Sequence, residues 1–381
     1  MITAQADELE PAIAATLATG PDARRQGPYR LRSIADTHAA LERYVRARCG
    51  AGSEIRGLRR MGGGASKEQF AFELEVPGQA PRPCVLRMDP LEAAVLTSRR
   101  REQVVLEAMQ GIVPAPQPLW CDEDGGELGR PTLITSFVDG VTKPSRVLAN
   151  VSGMGTVFEP ALRAALAGPF VDHLVAIHGY DWRRLPADVY QAPLADPMQA
   201  ARWQLNWWSS VWRADRLEAV PLLALAERWL RDNLPAAHEL VLVHADYRTG
   251  NYLFDEARGC ITAILDWELA HIGDYHQDLA WIAIRRWSQI EGGRLYASGL
   301  LPVDTLCERY EAATGRRVDA RSFHFYQVLG VYQCALICLG SSLRAADAAH
   351  NHQDALLSWL GAAGYVFLSD LAELLERGPP S

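Results

Sequence analysis

The chain is nearly without lysine. Of its 38 basic residues only Lys67 and Lys143 are lysines, and the other 36 are arginines. Chemistry that needs a lysine amine therefore has two candidates. Basic charge is not in excess either. With 46 acidic residues the formal net charge is −8, which leaves no broad cationic footprint for nucleic acid. Apolar residues nowhere run uninterrupted for the roughly eighteen positions a membrane span needs. The N-terminal stretch carries Asp7, Glu8 and Glu10 before any Lys or Arg, unlike the positive start of an export signal. The seven cysteines are scattered and form no CxxC pair. Cys334 and Cys338 fall in an apolar helical stretch and read as small core residues, not as soft metal ligands. These absences lead us to expect a cytoplasmic protein with reduced thiols and no structural zinc, binding neither membrane nor nucleic acid.

What is present is an ordinary globular balance. Hydrophobic residues make up 49% and charged residues 22% of 381, long enough for two domains or one large one. Residues 1–30 are Ala-, Pro- and Gly-rich and are expected to form a loose leader. A short helix is expected over Thr37–Cys49. Phe70, Phe72, Leu74 and Val76 then alternate with Ala71, Glu73 and Glu75, the pattern of a half-buried strand. A weaker strand, Ile55–Met61, precedes it across Gly62, Gly63 and Gly64, so the pair reads as a hairpin with a glycine-rich turn. Cys84–Asp89 is a third strand, Leu91–Met109 a helix, and Leu133–Val138 another apolar strand. Beyond residue 140 the chain is mostly helical. Helical spacing marks residues 160–178, 198–213, 219–233, 275–290, 303–313, 322–343 and 353–377, with a β-like island at 240–266. The expected architecture is α+β. A small sheet-rich lobe over 31–139 precedes a larger helical lobe over 140–381.

The island carries the chemistry. Val241 to Val243 and Tyr252 to Phe254 are short apolar runs around the polar loop His244-Ala-Asp246-Tyr-Arg-Thr-Gly-Asn251. Ile261 to Leu265 then runs into Asp266-Trp-Glu268. Asp246, Asn251 and Asp266 are hard oxygen donors at the ends of short strands, and folding the hairpin brings them into one small volume. Two of them can hold Mg²⁺, which prefers carboxylate and amide oxygens plus phosphate. The third can accept a proton from an attacking hydroxyl. Upstream, Met61-Gly-Gly-Gly-Ala-Ser-Lys67 places Cβ-free backbone where its N–H groups can approach phosphate.

The His-x-Asp-x4-Asn loop resembles that of the aminoglycoside phosphotransferase and choline kinase families, relatives of the protein kinases. Asp266-Trp-Glu268 resembles their metal-binding Asp motif. Gly273-Asp274 and Asp278-Leu-Ala-Trp281 are also typical. The glycine loop resembles their Gly-Gly-x-Ser loop. The pattern is nearest the subgroup that includes the kinase-like domain joined to some acyl-CoA dehydrogenases, and it covers roughly residues 40–345. The resemblance implies a protein-kinase-like two-lobe fold using ATP and Mg²⁺. Asp246 would be the proton acceptor, Asn251 and Asp266 the metal ligands, and His244 a brace for the loop. Gly63, Gly64, Ala65 and Ser66 would approach the phosphates. Arg87 would stand where protein kinases place a lysine on the third strand, paired with Glu102 of the next helix. Leu133–Val138 would be the hinge, with main chain near Ser136 and Val138 meeting the adenine. Lys67, in the glycine loop, reads as a solvated loop residue, with contact to phosphate as the alternative.

For the acceptor, Trp203, Trp207, Trp208 and Trp212 fit either helix–helix packing or an apolar wall. Trp203, Trp207, Glu268 and Arg285 are the candidate pocket residues. Tryptophans mixed with Arg202, Arg213, Arg216, Arg285 and Arg286 suit an anionic, amphiphilic acceptor such as a hydroxyacyl thioester of coenzyme A. The expected function is transfer of the γ-phosphoryl group of ATP to a small-molecule hydroxyl. An aminoglycoside or amino-alcohol kinase is the alternative. A nucleotide-binding pseudokinase is the alternative of another class, and a metal-dependent hydrolase explains the carboxylates but not the glycine loop. Monomer and homodimer both remain open.

Overall fold

The computed structural model describes residues 9–62, 67–145 and 154–379. Helices α1 (Pro11–Ala18), α2 (Gly20–Arg24) and α3 (Ile34–Cys49) come first. α3 starts where the Ser33 side chain accepts from the Asp36 amide, and it ends at Gly50, whose φ of 100° disfavours a side chain. The sheet follows: β1 (Glu54–Arg60), β2 (Glu68–Glu75), β3 (Arg82–Met88), then α4 (Arg99–Met109), β4 (Pro118–Asp122) and β5 (Thr132–Ser136). Its order is β1-β2-β3-β5-β4, antiparallel throughout. Alternation decides what each face buries. Phe70, Phe72, Leu74 and Leu86 pack with Leu41, Tyr44 and Val45 of α3. On α4, Val104, Val105, Leu106 and Met109 join Leu133 in the larger core. The sheet is thus held between two helices.

The second lobe is mostly helical, with α5 (Pro160–His178), α6 (Gln199–Asp215) and α7 (Pro221–Asp232) leading into short strands. These are β6 (Leu240–Val243), β7 (Tyr252–Asp255), β8 (Cys260–Ile264) and β9 (His271–Asp274). The wholly buried α8 (His276–Ile282) comes next, then β10 (Gln289–Glu291), β11 (Arg294–Ala297) and β12 (Leu301–Pro302). α9 (Val303–Thr314), α10 (Ala320–Leu336), α11 (Leu343–Asp347) and α12 (Asp354–Arg377) close the chain. Two stretches, Ala320–Asp347 and Asp354–Arg377, are long and apolar enough to cross a membrane by length and composition. The first is largely buried inside the fold, as a core helix is.

Several expectations need correction. The leader is not loose from Glu10 onward: α1 and α2 form there, and Glu10 and Ile13 are buried. The helix expected from Leu91 begins only at Arg99. The Glu92 amide donates to His350 O at 3.1 Å and its carbonyl accepts from Asn351 Nδ2 at 2.8 Å, so residues before Ser98 bond across the fold instead of along a helix. The helix expected over 275–290 stops at Ile282, whose carbonyl accepts from the Ser298 amide at 3.0 Å. A tight turn over Arg285–Trp287 and β10 replace its remainder. The island is not one hairpin. β7 pairs with β8, but β6 pairs with β9. A π turn over Ile337–Ser342 interrupts the helix expected over 322–343. Strands β4 and β9 to β12 were not foreseen, being short or lacking a clean alternation.

Candidate active site

β6 ends in a loop that buried acid anchors. Asp278 of α8, fully buried, accepts from the amides of His244 and Ala245 at 2.8 Å each. Its Oδ2 also lies 3.0 Å from His178 Nε2, and His178 Nδ1 lies 2.8 Å from the Tyr310 hydroxyl. Burial alone would raise this carboxyl, but the hydrogen bond and charge of His178 and the His244 amide hold it below its ordinary value. Ala245 is held at φ 68°, a conformation costly for a residue with a Cβ, so the loop is over-determined by its supports. His244 is a brace. Its Nδ1 accepts from the Asp246 amide at 3.2 Å and its Nε2 lies 3.0 Å from Leu265 O. Burial pushes its pKa down, which keeps the ring neutral and suits one accepting and one donating nitrogen.

Asp246 sits on this loop with Oδ1 accepting from Trp281 Nε1 at 2.9 Å and Arg248 Nε at 2.8 Å. Burial raises its pKa, Arg248 opposes and the Asp266 charge adds to the rise; the net direction is upward. Asn251 Nδ2 donates to Asp246 O at 3.0 Å, so the amide is fixed and its Oδ1 is left as an acceptor. Asp266 follows β8 in the left-handed region, φ 59° and ψ 53°, and its side chain is about a third exposed. The loop and the end of β8 thus bring Asp246, Asn251 and Asp266 together.

The first lobe meets them with cations. Arg87 of β3 donates to Asp266 Oδ1 at 2.6 Å and also to Glu102 of α4. Its Nε is buried without a partner among the described residues. Arg99, fully buried, holds Glu102, and its NH2 reaches Glu268 Oε2 at 2.8 Å and Thr97 Oγ1 at 2.6 Å. Lys67 is not a solvated loop residue: it is 1% exposed, and its Nζ lies 3.1 Å from Asp89 and 3.2 Å from Glu268. A buried ammonium requires such carboxylates. Burial would raise the Glu268 carboxyl, but Lys67, Arg99 and Arg87 hold it far below the ordinary range. Lys67, Arg87 and Arg99 therefore face Asp89, Glu102, Asp266 and Glu268, one carboxylate more than cations.

That excess, with Asn251 Oδ1 and the half-open Asp266, suits a hard divalent cation. Among the described residues no group of three or more His, Cys, Asp or Glu is arranged to hold a metal. A cation here would take two protein donors and complete its shell with phosphate and water, the habit of Mg²⁺. Asn251 and Asp266 are the residues that would hold it.

Other expected positions fare differently. Gly63, Gly64, Ala65 and Ser66 lie outside the described residues. The Ser136 amide is committed to Gln117 O at 2.8 Å, so it cannot meet an adenine. Val138, half-buried just beyond β5, has no hydrogen bond on its amide among the described residues. Trp203 and Trp207 are buried in the packing of the second lobe. α6 packs against α7, α10, β9 and the π turn, which buries it on several sides, and Trp207 stacks on Trp208 at 5.0 Å. Glu268 is held by Lys67 and Arg99, away from an acceptor role. Arg285 is half-exposed and pairs with Glu373 of α12. Beside Asp246 stand instead Trp281 and Trp287, 4.8 Å apart, with the Arg248 guanidinium 5.0 Å over the Trp287 ring. Their place was missed because nothing periodic links residues 248, 281 and 287. Lys67 had a signal: it is one of only two lysines and adjoins the glycine loop.

A family model described as "Phosphotransferase enzyme family" matches residues 57–313. Mouse acyl-CoA dehydrogenase family member 10 is 27% identical over 254 residues, 66% of this chain and 22% of that protein. Rat acyl-CoA dehydrogenase family member 11 is 25% identical over 271 residues, 68% of this chain and 33% of that protein. The chain thus matches a third or less of these relatives' length. Among solved structures, a candidate aminoglycoside phosphotransferase of Ralstonia eutropha superposes with a TM-score of 0.56 at 23% identity. That match covers 87% of this chain and 98% of the other. A thermostable mutant of aminoglycoside phosphotransferase APH(4)-Ia with ADP and hygromycin B gives 0.55 at 17% identity, with the same coverage.

Proposed function

This chain belongs to the phosphotransferase enzyme family and has a protein-kinase-like fold, and we propose that it is a small-molecule kinase that moves the γ-phosphoryl group of ATP to a hydroxyl of an amphiphilic anionic acceptor. The observation that carries the reading is Arg87, which stands between Glu102 and Asp266 with its Nε unpartnered. A buried guanidinium in that position is a ready ligand for phosphate. Use of ATP is supported by the ADP bound in the APH(4)-Ia structure.

In the proposed reaction Arg87 and residues 63–66 hold the phosphates, and the Val138 amide meets the adenine. Asn251 and Asp266 hold Mg²⁺, which when bound neutralises charge on the phosphate oxygens. Asp246, with Oδ1 pinned by Trp281 and Arg248, orients the acceptor hydroxyl and takes its proton. The acceptor oxygen bonds to the γ-phosphorus, the bond from that phosphorus to the β,γ-bridging oxygen breaks, and ADP leaves. Positioning and charge neutralisation supply most of the acceleration.

The surroundings of Asp246 favour an acceptor that is apolar and anionic. Trp281, Trp287 and Arg248 adjoin it, where a polycationic sugar would call for carboxylates. A hydroxyacyl thioester of coenzyme A has that chemistry, and the relatives' acyl-CoA dehydrogenase names agree with it. ADP release over a panel of hydroxyacyl-CoA, aminoglycoside, macrolide and choline acceptors tests this. Turnover with the hydroxyacyl-CoA supports the reading, and turnover confined to cationic sugars rejects it. Tight ATP binding without release across the whole panel makes the chain a pseudokinase.

A further inference from the structure

Adjacent residues in the first turn of α4 face different partners. Glu102 holds Arg87 and Arg99. Arg101 instead ties α4 to the second lobe: NH1 donates to Val189 O at 2.5 Å and NH2 to Ala270 O at 3.2 Å. Its guanidinium also lies 4.2 Å over the Tyr190 ring, and the Tyr190 hydroxyl donates to Arg101 O at 2.9 Å. Ala270 ends the short turn that begins after Asp266. Arg101 therefore joins the helix that carries Glu102 to the segment that carries Asp266.

The charge of Arg101 is balanced from the N-terminus. Glu10, 2% exposed, accepts from NH1 at 2.5 Å and from NH2 at 3.1 Å, a two-pronged pair. Glu10 precedes α1 but does not cap it. That work falls to Gln191, whose Oε1 accepts from the Ala12 amide at 3.0 Å, while the Gln191 amide donates to Glu10 Oε1 at 3.2 Å. The other end of the segment is fixed too. Arg24 pairs with Asp215 of α6, and its Nε lies 3.2 Å from Glu92, in the loop that leads into α4. A segment with one acid on the first turn of α4 and one base on the loop before it has the form of a clamp.

We propose that Glu10, acting through Arg101, is a positioning residue for the Arg87–Glu102 pair, and that the segment from Glu10 to Arg24 clamps α4 in the place where that pair forms. The physical reason is that a buried Arg101 without its carboxylate must move toward water or toward the neighbouring acid. Either movement shifts the turn that carries Glu102. The inference rests on the reading of Arg87 as the phosphate cation.

The test compares affinity for MgATP and for adenosine, which lacks phosphate, in the full chain and in Glu10→Gln, Glu102→Gln and the double variant. Glu10→Gln should bind MgATP about tenfold more weakly, the scale for losing an outer support of a ligand-binding group, with adenosine unchanged. The double variant should be no weaker than Glu102→Gln alone, because both changes disable one unit. Unchanged MgATP affinity in Glu10→Gln overturns the proposal. So does an equal loss for adenosine, or losses that multiply in the double variant. A merely structural Glu10 would lower stability without this selectivity for phosphate. Should Glu10→Gln fail to fold, Glu10→Asp keeps the charge on a shorter arm and should show a smaller loss of the same kind. An unaltered chain that binds no MgATP overturns the phosphotransfer reading and this inference together, an outcome distinct from the others.

Discussion

Arg87 on β3 donates to Asp266 Oδ1 at 2.6 Å, joining the sheet lobe to the helical lobe through the residue proposed to hold the metal. The same guanidinium holds Glu102, so it serves two carboxylates at once. A lysine has one nitrogen and no fork, and it cannot reproduce that span. We expect Arg87→Ala to weaken MgATP binding by about 10- to 100-fold, the range for a charged group with dedicated partners, and Arg87→Lys to fall between. Nucleotide titration checks this; a fully competent Arg87→Ala would remove Arg87 from the phosphate site.

Asp246→Asn keeps the shape of the side chain and removes its ability to take a proton. Turnover should drop by roughly 10²- to 10⁴-fold while MgATP affinity stays within a few-fold. Steady-state ADP release beside nucleotide titration separates the two. Undiminished turnover would mean that another group accepts the proton.

The pH behaviour of Asp246 has a definite sign. Burial raises its folded pKa above the ordinary 3.8, with Arg248 opposing and Asp266 reinforcing. The group therefore favours the fold at acid pH, when protonated, and that contribution is lost as pH rises through the raised value. Asp246→Asn should be more stable than the unaltered chain near neutral pH, and the gap should close toward about pH 4. Urea unfolding across pH measures it. The acid limb of the rate profile should likewise lie above the range of an exposed carboxylate.

Lys67 gives a test of burial against exposure. An exposed loop lysine could be replaced at a stability change within about 0.5 kcal/mol. A buried ammonium between Asp89 and Glu268 cannot, since removing it leaves both acids to Arg99, which already serves Glu102. Lys67→Met should destabilise the fold by about 3 kcal/mol. Denaturant unfolding with an unchanged midpoint would show the side chain to be solvated after all.

Asp278 should matter for folding before chemistry. Its carboxyl holds the His244 and Ala245 amides and faces His178. Burial opposes its ionised form, yet His178 and the His244 amide bring its folded pKa below the ordinary 3.8. Its stabilising effect is thus present above that value and lost as pH falls through the lowered one. Asp278→Ala should lose about 3–5 kcal/mol, measured by urea unfolding at neutral pH.

The sequence by itself determined the place of the segment proposed as catalytic and the outline of both lobes. Asp246, Asn251 and Asp266 stand at fixed spacing at the ends of short apolar runs, and such local order survives in one dimension. Arg87 and Glu102 were legible for the same reason, each by its place on a strand or helix of clear period. Two lysines among 38 basic residues also directed attention to position 87. Only the tertiary structure decided what surrounds these groups. It buried Lys67 against Glu268, set Trp281 and Trp287 beside Asp246, and folded Glu10 onto Arg101. Glu10 and Arg101 lie 91 positions apart, and Lys67 and Glu268 lie in different lobes. Their pairing follows from the need to compensate every buried charge, and which partner meets that need is set by how the lobes pack.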